Sequence, residues 1–317
     1  MPFSINTFQH NGFDIMALKD GNTGAQVELI PAYGAMLHAF KVPHQGQLLN
    51  IIDSYDSLEE YRQQFATTFK GVKLSPFACR LPGGQYQWQQ QFYRVRKTLL
   101  PGQAIHGLLY DAAFTVAGQQ ATDAAAVLVL EYTYEGTDAG YPFPYNCRVC
   151  YSLQPGHMLE VSTTLTNRAA TAIPVMDGWH PYFTTGRAVD ELELQFSAVQ
   201  VLEFNDQLVP TGRLLPCTDY LQPQPLKGVM LDNSFMLRFD RPGPLCTLQD
   251  PQQGIAIDYY PGHNYPILQV YIPPERRSIA IEHLSGAPNA FNNGMGLLQL
   301  EPGAAETFTA RMQVRLA

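Results

Sequence analysis

Four short segments place ionisable side chains inside otherwise apolar, strand-like stretches. They are Cys79-Arg80-Leu81-Pro82-Gly83-Gly84, Ile105-His106-Gly107, Gly178-Trp179-His180-Pro181-Tyr182-Phe183 and Ile279-Ala280-Ile281-Glu282-His283. Burying an ionisable group costs several kcal/mol unless it is paired, so a carboxylate such as Glu282 next to Ile281 calls for an explanation. A carboxylate and an imidazole brought together can take a proton from one substrate atom and deliver one to another, with neither metal nor cofactor. Taken singly, each residue also has an ordinary reading. Arg80 or Glu282 would be half of a structural ion pair, and His106 or His180 a hydrogen-bonded core histidine.

Signatures of other chemistries are missing. The chain has no P-loop, no GxGxxG following a strand, no HExxH and no GxSxG elbow, which removes the usual support for nucleotide, zinc-peptidase and α/β-hydrolase readings. His263 and His283 lack the local spacing of a metal site. There are five cysteines. Cys147 and Cys150 fall three apart on a strand-like segment and so point to opposite faces, which reads as structural thiols in a reducing cytosol rather than a metal knuckle.

The elements that must position these residues are mostly strands. Leu159, Val161, Thr163 and Leu165 alternate with polar neighbours, as do Phe308, Ala310, Met312, Val314 and Leu316. Further strands are expected within 27–42, 125–134, 146–153, 255–260 and 267–272, and Gln154-Pro155-Gly156-His157 reads as a hairpin turn. One helix stands out: Ser57 and Glu60 form a capping-box pattern, and Leu58, Tyr61, Phe65 and Phe69 recur at helical spacing up to Gly71. Adjacent strand residues point to opposite sides, so His283 should face away from Glu282. The 24 Pro and 25 Gly are spread along the whole length with no linker or repeat. The expected architecture is one all-β domain over residues 1–317, a large β-sandwich with long functional loops.

Composition narrows the partners. Apolar residues make up 45% and charged residues 15%, enough for an extended core. With 28 acidic against 20 basic residues the net charge is -8, and no basic run offers a surface to nucleic acid or to an anionic membrane. No segment approaches the roughly 20 apolar residues of a membrane span, and the first residues lack a signal-peptide core. Trp88, Trp179, 17 Tyr and 17 Phe could stack on a ligand, although most aromatic residues of an all-β chain fill the core.

In order along the chain, the Arg-containing segment, His-Gly, Trp179-His180-Pro181-Tyr182-Phe183, Leu231-Asp232-Asn233-Ser234-Phe235 and the late Ile281-Glu282-His283 resemble the aldose 1-epimerase, or galactose mutarotase-like, family. Asn289 to Asn292 and Leu300-Glu301-Pro302-Gly303 are similar to the family's C-terminal ending. The resemblance implies a large antiparallel β-supersandwich whose concave face holds one sugar. It implies that Glu282 is the general base at the anomeric hydroxyl and His180 the general acid at the ring oxygen. Arg80 and His106 would orient substrate, Asp232 and Gln269 would bind sugar hydroxyls, and Trp179 would line the site beside His180. No cofactor and no metal are implied, and the protein would be a cytoplasmic monomer or homodimer. One departure is Cys79, which stands where the family commonly carries Asn and removes an amide from the implied pocket.

Three alternatives stand beside a free-hexose mutarotase. A hexose-6-phosphate 1-epimerase would need additional cations, for which Lys73, Arg94, Arg96 and Arg187 are the candidates. A silent sugar-binding protein would keep the pocket without turnover. A glycosidase would use Asp232 and Glu282 as paired carboxylates.

Overall fold

A computed structural model describes residues 1–98 and 102–317. Among these, two nine-stranded antiparallel sheets carry most of the chain. One contains the long hairpins expected from strict alternation. Tyr145–Gln154 pairs with Met158–Asn167, which in turn pairs with the C-terminal strand Ala305–Leu316. The alternation of Met158–Asn167 is nearly perfect, with Leu159, Val161, Thr163 and Leu165 buried between half-exposed neighbours, because one face covers the core and the other meets solvent. Cys147 is buried and Cys150 half-buried, so the two thiols do point to opposite faces. All five cysteines are free.

The second sheet is buried on both faces where it matters. Asp232–Leu237, Ile267–Tyr271, Ile279–Leu284, Gly178–Trp179 and Lys73–Leu74 are successive neighbours in it. Ile279–Leu284 has no exposed residue, which is why its sequence reads as a continuous apolar run broken by Glu282 and His283. A five-stranded meander from Phe3–His10 to Gln47–Asn50 covers part of the core. Its first two strands, Phe3–His10 and Phe13–Asp20, lie in a stretch whose mixed polarity did not mark them as strands. The expected strand at 27–42 is two strands, Gln26–Ile30 and Met36–His44, because Pro31 to Ala35 form the turn between them.

The expected helix is Leu58–Thr68. Ser57 Oγ accepts from Glu60 N–H at 3.1 Å, and the Glu60 carboxylate accepts from the backbone of Asp56 rather than of Ser57, one residue outside a reciprocal capping box. The helix ends before Gly71, since Phe69 turns left-handed at φ 51° and its N–H returns to Phe65 O. That turn buries the Phe69 ring against His106 and Tyr110. No helix among the described residues is long and apolar enough to cross a membrane.

Candidate active site

Strand register aligns the polar residues of the second sheet into a row. Ser234 lies opposite Gln269, and Gln269 opposite Glu282. Gly178 pairs with Leu284 and Tyr182 with Ala280, so counting inward from both pairs brings His180 opposite Glu282. Residues directly opposite on neighbouring antiparallel strands share a face. Gln269, Glu282 and His180 of this row therefore face one cavity of about 220 Å³, with Ser234 buried at the end of the row behind Gln269. Asp232 joins from two residues before Ser234 on the same face. Gln269 is held at both ends, donating to Asp232 Oδ1 at 2.8 Å and accepting from Ser234 Oγ.

Arg80 and His106 arrive from outside this sheet. Arg80–Pro82 pairs with Gln103–Ile105 in a two-stranded ribbon, and Arg80 lies opposite Ile105. His106 N–H then donates to Cys79 O at 3.0 Å, while Cys79 N–H donates to His106 Nδ1 at 3.3 Å. Cys79 and His106 both hold left-handed backbone, at φ 54° and 60°. Such conformations cost of order 1–3 kcal/mol each in non-glycine residues and persist only where surrounding structure enforces them. Gly107 explains the His-Gly pair: a Cβ there would lie 2.2 Å from Ser75 O, where the two backbones bridge. Asn289 N–H donates to Arg80 O at 3.0 Å, tying the C-terminal segment to the same ribbon.

The central pair is His180 and Glu282, with Nε2 and Oε1 3.5 Å apart and both side chains buried. That separation meets the distance of an ion pair, yet burial drives both groups toward neutrality. It lowers His180 to about 3 and raises Glu282 well above the ordinary carboxyl range, with the Asp232 charge adding to the latter. Both shifts favour a carboxylic acid facing a neutral imidazole. Burial also lowers His106 well below its ordinary value, helped by the charges of His180 and Arg80. Asp232 is raised by burial, against the opposing pull of Arg80 and the Gln269 amide. Glu282 Oε2 and His180 Nδ1 are buried without a hydrogen-bond partner among the described residues. Unpartnered buried polar atoms beside a cavity are what a polar ligand would satisfy.

The sequence-derived site residues Arg80, His106, His180, Asp232, Gln269 and Glu282 all line this cavity. Trp179 does not, which corrects its placement. It alternates with His180 and so turns into the core, where its Nε1 donates to Gly71 O at 3.1 Å and its ring packs on Tyr151 and His283. His283 likewise faces away from Glu282, and its Nδ1 lies 2.5 Å from Tyr259 Oη. Tyr182, Tyr271, Cys79, Ile105 and the helix end Ala66 to Phe69 complete the lining. Alternation could have found two of these, since Tyr182 and Tyr271 each follow a site residue by two positions. Tyr182 stacks on His180 at 5.0 Å. Nothing local in the sequence marks the helix end. A larger cavity of about 600 Å³ is lined by His10, Glu28, His38 and Lys41 among others, with Lys41 paired to Glu28, and contains none of the site residues expected from the sequence.

With this geometry in view, comparison with known proteins is direct. The sequence pattern of the aldose 1-epimerase family matches residues 15–314. The chain belongs to the aldose 1-epimerase family. An Escherichia coli K12 relative, the uncharacterized protein YihR, is 31% identical over 242 residues, spanning 74% of this chain and 75% of its own. Among solved structures, a galactose mutarotase-like protein from Clostridium acetobutylicum superimposes with a TM-score of 0.86 at 14% identity, covering 100% and 99% of the two chains. The galactose 1-epimerase of Lactobacillus acidophilus does so with a TM-score of 0.82 at 17% identity, covering 99% of each. At those identities the likeness establishes the fold, a galactose mutarotase-like antiparallel β-sandwich forming one unit over the whole chain.

Proposed function

We propose that this aldose 1-epimerase family member interconverts the α and β anomers of a free aldohexose by opening and reclosing the sugar ring. The observation that carries the reading is the facing pair of His180 and Glu282, 3.5 Å apart in a buried cavity, each with an unsatisfied polar atom. Ring opening removes a proton from O1 and delivers one to O5. Glu282 takes the first and His180 gives the second. After rotation about C1–C2 the same two groups run in reverse on the other face of the carbonyl, so the pair is reset without an external proton.

The protonation states support this economy. A neutral acid with a neutral imidazole holds the same single proton as a carboxylate with an imidazolium. Sugar hydroxyls donating to Glu282 stabilise its carboxylate, and its proton then sits on His180 with no exchange with solvent. Gln269, Asp232, Arg80 and His106 are the positioning set. Asp232 accepts from sugar hydroxyls, while Arg80, which has no carboxylate within ion-pair distance among the described residues, donates to them.

A free rather than phosphorylated sugar is supported by where the candidate cations lie. Lys73 is buried 2.7 Å from Asp177, Arg187 pairs with Glu191 and Asp250, and neither these two nor Arg94 nor Arg96 lines the cavity. Five free thiols suit a reducing cytosol. The test is the polarimetric relaxation of freshly dissolved α-D-glucose and α-D-galactose, with Glu282→Gln alongside. Acceleration by wild type alone supports the reading. Saturable sugar binding with no acceleration by wild type overturns it in favour of a silent binding protein, and acceleration only of a 6-phosphorylated hexose in favour of the phosphate branch.

A further inference from the structure

Cys79, His106 and Glu282 are brought together from three separate segments of chain. A sulfur, an imidazole nitrogen and a carboxylate oxygen from them all lie within 4.8 Å of one another, and all three residues are buried. Bonds of about 2.3 Å from sulfur and about 2.0 Å from nitrogen or oxygen to a tetrahedral Zn²⁺ set the ligand atoms roughly 3–4 Å apart, so about an ångström of contraction suffices. One of the three also has an unused ligand atom. Glu282 Oε2 and the nearby His180 Nδ1 are buried with no hydrogen-bond partner among the described residues.

We propose that Cys79, His106 and Glu282 form a site for a thiophilic divalent cation, Zn²⁺ in particular. A thiolate and a carboxylate, with a neutral imidazole, balance the two charges of Zn²⁺, which a buried site requires. Burial keeps the Cys79 thiol and the Glu282 carboxyl protonated and His106 neutral in the free protein. Capture therefore replaces one thiol proton and one carboxyl proton with the metal and releases both to solvent. Of the charged groups facing the site, Asp232 favours capture and Arg80 opposes it. The 3.3 Å bond from Cys79 N–H to His106 Nδ1 is the contact that capture gives up.

The experiment uses the full chain, stripped with a chelator and titrated with Co²⁺ in the absence of sugar. This makes its outcome separable from that of the mutarotase assay, and the inference rests on the cavity geometry alone. Wild type is expected to bind one equivalent with a thiolate-to-cobalt charge-transfer band that Zn²⁺ abolishes. Cys79→Ser should lose the band, and Cys246→Ser, altered at a buried thiol outside the cavity, should keep it. Outer-shell changes typically cost roughly 10–100-fold in metal affinity, so removing the ligand itself through Cys79→Ser should weaken Zn²⁺ by at least that much. His106→Asn, which retains an acceptor for Cys79 N–H, should weaken it likewise. Absence of the band in wild type, or Zn²⁺ affinity unchanged in the two cavity variants with native circular dichroism, overturns the proposal.

Discussion

The two faces of one sheet use the same residue types to opposite ends. On the cavity face, His180 and Glu282 meet each other across 3.5 Å and leave Nδ1 and Oε2 unsatisfied. On the interior face, one residue away in sequence on either strand, His283 is bonded to Tyr259, and Trp179 to Gly71 O. Beside them the Asp177 carboxylate accepts from Lys73 at 2.7 Å and from Tyr265, with Ser285 Oγ accepting from the Asp177 N–H at 2.8 Å. Burial is equally deep on both sides. Each side leaves one carboxylate oxygen unpartnered among the described residues, Glu282 Oε2 and Asp177 Oδ1. What separates a reactive pair from a structural network is therefore access: His180 and Glu282 line the cavity, whereas Asp177 does not and is held by Lys73 and Tyr265.

If that contrast is right, substitutions on the two faces should fail differently. Glu282→Gln should lower the rate of catalysed mutarotation by roughly 10²–10⁴-fold, the usual contribution of a positioned acid–base group, as read by polarimetry. The same change should stabilise the fold. A carboxyl whose folded pKa is raised by burial keeps its proton while the unfolded chain ionises near 4.5, so wild type loses stability as pH rises from there toward the folded value. The difference in Tm between Glu282→Gln and wild type should widen in favour of the variant across that window. A variant less stable than wild type at neutral pH would break the comparison.

The interior face should show the reverse. Lys73→Met leaves Asp177 without its cation and should cost about 3–5 kcal/mol in urea denaturation, with the remaining folded protein still binding sugar. The pH profile is a finer probe. The His180–Glu282 pair works while it holds one proton, so kcat/KM should fall on the acid side near 3 rather than near 6.5 and on the alkaline side above the ordinary carboxyl range. An acid limb near 6.5 would mean that His180 titrates as an open imidazole. The smallest effect is expected of Trp179→Phe, about 1–3 kcal/mol of stability from a lost hydrogen bond and lost packing, with KM for the sugar unchanged. A raised KM would return Trp179 to the site.

How much of this could be read in advance is clearest residue by residue. Strand parity is a local property, with a period of exactly two, so the outward and inward halves of Glu282-His283 and of Cys147-Cys150 followed from the sequence. Parity equally dictates that Trp179 and His180 diverge. Placing both at the sugar set the motif's integrity above the pleat, and the pleat prevailed. The residues of the site were legible because buried charge in apolar strands is conspicuous, and the family resemblance gave them roles to be tested.

The amino-acid sequence by itself determined the β-rich class, the alternation within each strand, the single capped helix and the set of ionisable residues that must be buried. Only the tertiary structure decided which of those residues meet. The row from Ser234 to His180 depends on register among three strands and on the segment between Gly178–Trp179 and Tyr182–Phe183, and Arg80 and His106 reach it from a separate ribbon. The helix end at Ala66 to Phe69 lines the cavity, while Lys73 turns away from it toward Asp177. Pairings between segments as much as two hundred residues apart are chosen by the simultaneous packing of both sheets, and no local pattern of propensity or period encodes that choice.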